Sequence, residues 1–297
     1  MALLKCYGRV GTQQDLTIMM QLESNLVSVD WLEEHLDARN IIVLYTSMAD
    51  IATGQAEPVP KGLIPGSVWF DFENVFCNKQ SPYPHTMADE ETFQREARKL
   101  GINANSHIIV YDSKGVYCSP RIWWMFKAMG HDNVQVLDGG LPAWLSKGYP
   151  VDNHFLIGKD IGNFQALAKP RSFVSSGAIV KHLSKIRVID ARSEGRFKGT
   201  SPEPRPGLRS GHIPSSINLP FTLCIQQGHL KSKAELKQLF NERGIKEGAY
   251  IVSSCGSGVT ACIIALVASE LGYDRLSVYD GSWSEWGANA KLPIAVD

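Results

Sequence analysis

Cysteine is scarce and scattered in this sequence of 297 residues. The cysteines form no Cys-x-x-Cys pair, which excludes the usual zinc-binding spacings and argues against a disulfide scaffold. We therefore expect no metal ion, and we expect a reducing compartment, which predicts a cytoplasmic protein. The positions are Cys6, Cys77, Cys118, Cys224, Cys255 and Cys262.

Excess charge and long apolar segments are also missing. The 30 basic and 30 acidic residues cancel, so the chain has no overall field that would attract nucleic acid or an anionic membrane. No apolar run approaches the ~18 residues of a membrane span, and the N-terminal residues lack the apolar core of a secretory signal. We expect no nucleic-acid or membrane partner, and residues 1–24 are predicted to be a loose extension.

The second half of the sequence repeats the first. Apolar runs, glycines and tryptophans recur at a constant offset of 142 residues, without a gap across the matched stretch. A repeat of this size indicates a duplicated globular domain, because the units of solenoid proteins are only ~20–45 residues long. The matched pairs include Val110 and Val252, Gly130 and Gly272, Asp138 and Asp280, and Trp144 and Trp286.

Within each copy, short β-rich runs alternate with helical patterns. In the second copy one predicted helix opens on a capping box formed by Ser232 and Glu235. Strands that alternate with helices predict an α/β fold, in which each copy is a parallel sheet flanked by helices. We place the first domain at residues 25–150, a linker at 151–170 and the second domain at 171–297.

Cys255 is the strongest candidate for a reactive residue. It follows a predicted strand and precedes a predicted helix, and parallel sheets bind their ligands at that end of the strands. Gly256 and Gly258 allow the intervening turn to point several backbone amides at one anion, which would stabilise a thiolate. The aligned residue of the first copy is Ser113, so we expect chemistry only in the second domain.

Two classes of enzyme place a nucleophilic cysteine in such a loop. Cysteine phosphatases need an arginine six positions later to clamp the phosphoryl oxygens, but that position is Ala261. In sulfur transfer the thiolate attacks a sulfur atom and carries it as a persulfide, without this arginine. The sequence therefore favours sulfur transfer.

The loop 255–261, Cys-Gly-Ser-Gly-Val-Thr-Ala, resembles the active loop of the 3-mercaptopyruvate sulfurtransferases, within the tandem rhodanese superfamily. The segments 203–207, 211–214 and 279–286 resemble the same family and follow in its order. The resemblance implies two tandem rhodanese-like domains, of which the first is non-catalytic. It implies an enzyme that moves sulfur from 3-mercaptopyruvate through a Cys255 persulfide to a thiophilic acceptor and releases pyruvate. Such an enzyme needs no cofactor, because the protein itself carries the sulfur.

The resemblance also implies roles for individual residues. The two arginines that grip the donor's carboxylate and keto oxygens in this family correspond to Arg196 and Arg205, and His85 corresponds to a proton donor or orienting group. Glu73 stands where the family commonly has aspartate. The predicted catalytic residues are Cys255, Ser257, Thr260 and His85; the predicted substrate-binding residues are Arg196, Arg205, Gly256, Gly258 and Val259; and the supporting candidates are Glu73 and Asp71.

The choice of donor depends on the residues after the cysteine. Thiosulfate-preferring relatives usually carry basic residues there, so Gly256 and Ser257 favour 3-mercaptopyruvate. The alternatives are a thiosulfate sulfurtransferase (rhodanese) and a non-catalytic rhodanese-like binding module. The expected partners are 3-mercaptopyruvate and a sulfur acceptor, for which the candidates are a small thiol, cyanide and thioredoxin.

Overall fold

The computed structural model describes residues 24–157 and 160–296 of the chain. The predicted extension 1–24 lies outside the described residues, apart from Ser24. Within the described ranges the chain forms two five-stranded sheets and a separate two-stranded hairpin. None of the helices in these ranges is both long enough and apolar enough to cross a lipid bilayer.

The first sheet is built from parallel strands with helices between them. Its strands are β1 (Leu26–Val27), β2 (Ile41–Tyr45), β3 (Val68–Trp69), β4 (His107–Tyr111) and β5 (Val134–Leu137). They pair in the order β1-β5-β4-β2-β3, and every pair is parallel. The helices are α1 (Val29–His35), α2 (Glu90–Lys99), α3 (Ser119–Ala128) and α4 (Gly140–Ser146).

The second sheet repeats this arrangement. Its strands are β6 (Phe173–Val174), β7 (Arg187–Asp190), β8 (Ile217–Asn218), β11 (Ile251–Ser254) and β12 (Leu276–Tyr279), and the hairpin is β9 (Ile225–Gln226) with β10 (His229–Leu230). The sheet order is β6-β12-β11-β7-β8, again with every pair parallel. The helices are α5 (Ser176–His182), α6 (Glu194–Lys198), α7 (Lys233–Glu242), α8 (Ala261–Glu270) and α9 (Ser282–Trp286), with a 3-10 helix at Phe221–Cys224.

The equal strand orders confirm the predicted α/β fold with two parallel sheets. Ser232 and Glu235 form both hydrogen bonds of the predicted capping box at the start of α7. The predicted linker has no helix and no named strand in its described part, 151–157 and 160–170. The exact domain boundaries stay a prediction, although each sheet lies within one of the predicted ranges. We refer to each sheet with its helices as the first and the second domain.

A cluster of buried apolar side chains runs through both domains. Helix α3 packs on β4 and β5, helix α8 packs on β11 and β12, and the two helices contact each other. Residues 261–268 of α8 are all buried, which explains why this helix is apolar on every side. The domains therefore share one core, and the loop that leads into α8 lies against the first domain.

Each domain also sends a short segment across to the other. From the second domain, the N–H of Leu230 in the hairpin donates a 3.0 Å hydrogen bond to the carboxylate of Asp138. From the first domain, the N–H of Met87 donates a 2.7 Å hydrogen bond to the carboxylate of Asp280. Asp138 and Asp280 are a repeat pair at the offset of 142 residues, so the two contacts occupy equivalent places in the two domains. We call these two contacts the crossings.

Two glycines meet where the hairpin crosses to the first domain, and the contact predicts a stability effect. Gly115 has a φ of 102°, and a Cβ at this position would lie 2.4 Å from the carbonyl oxygen of Gly228. We expect Gly115→Ala to lower the free energy of unfolding by more than the ~1–2 kcal/mol of left-handed strain, because it also displaces the hairpin.

Gly272→Ala is the matched control, because Gly272 has a φ of 85° with nothing within 4 Å of an added Cβ. Differential scanning calorimetry on both variants should show the larger fall in Tm for Gly115→Ala. Equal falls would mean that the contact with Gly228 does not stabilise the protein.

Candidate active site

Cys255 lies at the carboxyl end of β11, in the loop that leads into α8. The residue is buried, with 2% of its surface exposed. Its N–H donates to the hydroxyl of Ser282 over 3.2 Å, and its carbonyl accepts from the N–H of Trp283 over 3.0 Å. These two hydrogen bonds hold the start of the loop against α9.

The first domain has a carboxylate in the loop that corresponds to the Cys255 loop. Oδ2 of Asp112 accepts hydrogen bonds of 2.9–3.0 Å from the N–H groups of residues 117–119. At the offset of 142 residues these amides correspond to residues 259–261, whereas Asp112 corresponds to Ser254. In the second domain residues 259–261 lie at the start of α8, and a serine stands in place of the carboxylate. Convergent amides of this kind stabilise a negative charge beside them.

A cavity of about 160 Å³ opens between the domains beside Cys255. It brings together most of the predicted site residues, namely Cys255, Gly256, Ser257, Val259, Thr260, Arg196 and Arg205. The other lining residues are Arg192, Ala191 and Ser193 of the second domain, Phe221, and Met48, Ile51 and Tyr117 of the first domain. In the described part of the chain, no three His, Cys, Asp or Glu side chains are placed to hold a metal ion.

A buried carboxylate fixes two of the arginines. Only 2% of the Glu203 side chain is exposed, and it accepts hydrogen bonds from Nη1 of Arg192 over 2.7 Å and from Nη2 of Arg196 over 2.6 Å. Arg192 is itself anchored, because it donates to Asp190 over 2.7 Å and stacks 4.1 Å from the centre of the Trp283 ring. Arg192 and Glu203 thus act as a support that orients Arg196 toward the cavity.

Arg205 is different, since no carboxylate of the described residues lies within ion-pair distance of its guanidinium group. Burial lowers the pKa of Arg205, although the nearby Cys255 acts in the opposite direction. A Cβ at Gly256 would lie 3.2 Å from Nη2 of Arg196 and 3.6 Å from Nη1 of Arg205. Both guanidinium groups therefore reach the residue beside the thiol, where they attract an anion.

The first domain contributes a histidine to the cysteine loop. Nδ1 of His85 lies 2.9 Å from the hydroxyl of Ser257, and Nε2 lies 2.9 Å from the carboxylate of Glu73. The second oxygen of Glu73 accepts the N–H of Ala49 over 2.8 Å. Burial acts to raise the pKa of Glu73, but the hydrogen bonds from His85 and Ala49 outweigh it, and the pKa is lowered. An ionised carboxylate thus orients the imidazole ring toward Ser257.

Asp71 is not part of this chain of hydrogen bonds, and its supporting role stays a prediction. Its carboxylate accepts the N–H of Asn74 over 2.9 Å and closes a local turn. Two other predicted residues shape the loop: Gly258 adopts a φ of 78°, and Thr260 lies at the start of α8. A Cβ at Gly258 would lie 3.0 Å from the carbonyl oxygen of Asp280, so the turn requires glycine.

Sequence reasoning missed the role of Glu203 and the apolar lining of the cavity. A signal for Glu203 exists, because the pattern Glu-Pro-x-Pro occurs in both copies, at 57–60 and at 203–206. Met48 and Ile51 follow β2 in a loop without a motif, so nothing in the sequence marked them. Their contact with the site depends on how the domains pack.

Comparison with known proteins gives the family. The model of the Rhodanese-like domain matches the chain twice, at residues 28–147 and 177–289. The chain is 38% identical over 275 residues to the 3-mercaptopyruvate sulfurtransferase of Escherichia coli strain K12, which covers 90% of this chain and 96% of the relative. It is 37% identical over 295 residues to thiosulfate/3-mercaptopyruvate sulfurtransferase 2 of Arabidopsis thaliana, which covers 91% of this chain and 86% of the relative.

A solved structure is similar over most of its length. The crystal structure of SseA from Escherichia coli, a 3-mercaptopyruvate sulfotransferase with the "Rhodanese" fold, superposes with a TM-score of 0.78 at 35% identity. The match covers 88% of this chain and 99% of that structure. The chain therefore belongs to the rhodanese family and carries two Rhodanese-like domains in tandem.

Proposed function

We propose that this protein is a 3-mercaptopyruvate sulfurtransferase in which Cys255 carries the transferred sulfur. The observation that carries the proposal is the common cavity of Cys255, Arg196 and Arg205, in which Arg205 has no carboxylate partner among the described residues. Arg205 is half-buried, and the planar fork of a guanidinium group binds a carboxylate and sets its orientation. A small 2-oxo acid with a sulfur atom offers a carboxylate to the arginines and a sulfur atom to Cys255.

The proposed reaction begins when the Cys255 thiolate attacks the sulfur atom of bound 3-mercaptopyruvate. A sulfur–sulfur bond forms, the carbon–sulfur bond breaks, and its electron pair leaves with the enolate of pyruvate. The thiol proton of the donor passes through Ser257 to His85 and is returned to the enolate carbon. The amides of residues 259–261 stabilise the negative sulfur of the persulfide. Arg196 and Arg205 hold the donor's carboxylate and keto oxygens throughout.

The second half-reaction regenerates the enzyme. A thiophilic acceptor attacks the outer sulfur of the persulfide, and Cys255 leaves as a thiolate. A small thiol, cyanide and thioredoxin each have the required nucleophile. The five described cysteines are free thiols, which fits the proposed cytoplasmic location.

Gly256 favours this donor over thiosulfate. A side chain at residue 256 would approach the guanidinium groups of Arg196 and Arg205, with the added Cβ already 3.2 Å from Arg196. A long basic residue here would push both arginines out of position and place a third cation beside the thiol. With glycine at position 256, the space beside Arg196 and Arg205 stays open for a donor that the two arginines bind.

Persulfide formation tests whether the protein is an enzyme. We expect intact protein to gain the mass of one sulfur atom after treatment with 3-mercaptopyruvate, and we expect Cys255→Ser to gain none. Cys262→Ser is the control, because Cys262 is fully buried in α8 and should not affect the adduct. A folded wild-type protein without the adduct would instead support a non-catalytic binding module.

The choice of donor is tested by steady-state kinetics. We expect kcat/KM for 3-mercaptopyruvate to exceed that for thiosulfate by at least about tenfold, because only the 2-oxo acid offers oxygens to both arginines. The assays use the same acceptor for both donors. A preference for thiosulfate would make the protein a thiosulfate sulfurtransferase.

Glu203→Gln tests the support of Arg196. We expect KM for the donor to rise by at least about tenfold, because Arg196 loses its charged partner and its fixed orientation. Glu194→Gln is the matched control, since Glu194 pairs with Lys198 on the same stretch of chain but its side chain is 68% exposed. Equal KM values for the two variants would mean that Glu203 does not orient Arg196.

A further inference from the structure

His85 has a backbone conformation that is uncommon for residues other than glycine. Its φ is 62°, in the left-handed region. At the equivalent place of the other crossing the chain has Gly228, with a φ of 82°. His85 lies two positions before Met87, whose N–H binds Asp280. Gly228 lies two positions before Leu230, whose N–H binds Asp138. A histidine in this position requires contacts that hold it.

Arg121 of α3 supplies such contacts. The residue is completely buried, and its Nη2 donates to the carbonyl of His85 over 2.6 Å and to Oδ1 of Asp280 over 2.7 Å. Its Nη1 lies 3.4 Å from the carbonyl of Gly258, in the cysteine loop. Asp280 also accepts the N–H of Met87 over 2.7 Å. Arg121 and Asp280 therefore form a clamp that closes around the histidine segment and ties it to the loop.

The crossing of the hairpin to Asp138 has no arginine at the position equivalent to Arg121. The residue at the offset of 142 from Arg121 is Ile263, which is buried in α8. Asp138, the counterpart of Asp280, instead faces His229, whose Nδ1 lies 3.0 Å away. The duplicated fold thus makes the same crossing without a buried guanidinium group, which is costly to desolvate. The clamp occurs on the crossing that meets the reactive thiol.

We propose that Arg121 and Asp280 are positioning residues that hold His85 against Ser257, so that His85 transfers protons only while the clamp is closed. The inference rests on the proposed sulfur transfer. Neither clamp residue lines the cavity, and Arg196, one of the two arginines proposed to bind the donor, is fixed by Glu203. Loss of the clamp should therefore slow the chemical step and leave donor binding almost unchanged.

A double-mutant cycle between the clamp and the histidine tests this proposal. Wild type, Arg121→Met, His85→Asn and the double variant are compared by the rate of pyruvate release from 3-mercaptopyruvate. We expect each single variant to lower kcat by at least about tenfold, with KM changed by less than about threefold. The double variant should be slower than His85→Asn by no more than about twofold, because the clamp acts through the histidine.

Two further variants separate positioning from domain docking. Arg121→Lys keeps the buried charge opposite Asp280 but lacks the planar fork, so we expect only partial recovery of kcat. His229→Gln weakens the equivalent crossing and should lower Tm without lowering kcat. If His229→Gln lowers kcat as much as Arg121→Met, or if the double variant multiplies the two single effects, Arg121 only docks the domains and the proposal is wrong. Arg121→Lys replaces Arg121→Met in the cycle if the latter does not fold.

The imidazole signals of His85 in the resting protein test the clamp without a donor. NMR of wild type should show a ring hydrogen-bonded on both nitrogens, and Arg121→Lys should lose the signature of the bond to Ser257. An unchanged His85 signal in this variant would overturn the proposal. A wild-type protein that releases no pyruvate would contradict the proposed function, while the NMR comparison would still decide whether the clamp positions His85.

Discussion

Backbone amides that converge on one point require an acceptor, and the two domains of this protein differ in what they place at the equivalent loops. In the first domain Asp112 provides a carboxylate from within the loop. In the second domain the equivalent residue is Ser254, and the next residue is Cys255 instead of Ser113. The loop of the first domain thus supplies its own acceptor, whereas the loop of the second domain presents a thiol, for which we proposed a role in sulfur transfer.

The duplication also supplies the rest of the site. Where the hairpin crosses to the first domain, Gly228 contacts Gly115, and the two backbones pack without side chains between them. At the other crossing the equivalent residues are His85 and Ser257, and their side chains form a hydrogen bond of 2.9 Å. The second domain alone would therefore have the thiol and the amides but no imidazole. The packing of the domains brings the nucleophile and the proton-transfer group together.

The features that the sequence predicted depend on local signals. The capping box of α7 and the turn around Cys255 each involve a few neighbouring residues, so their structures follow from local chemistry. The pairing of Glu73 rather than Asp71 with His85 was not predictable, because it depends on which way a turn directs each side chain. The bond from Arg121 to Asp280 joins residues 159 positions apart across the domain interface. No periodicity or motif encodes such a contact.

The charges around the cavity explain why an anionic donor suits this site. Arg192 and Arg196 are balanced by Asp190 and Glu203, which leaves the charge of Arg205 without a carboxylate among the described residues. In the proposed reaction the carboxylate of the donor lies between the guanidinium groups of Arg196 and Arg205.

Sulfur transfer then moves the negative charge by one atom, from the thiolate to the outer sulfur of the persulfide. Residues 259–261 lie at the start of α8, and in the proposed mechanism their amides stabilise the charge during the step. In the proposed mechanism the proton that completes pyruvate moves through Ser257 and His85, which lie 2.9 Å apart. In the proposed reaction no ion has to enter or leave the cavity until pyruvate departs, so the charge that the arginines face stays constant through the chemical step.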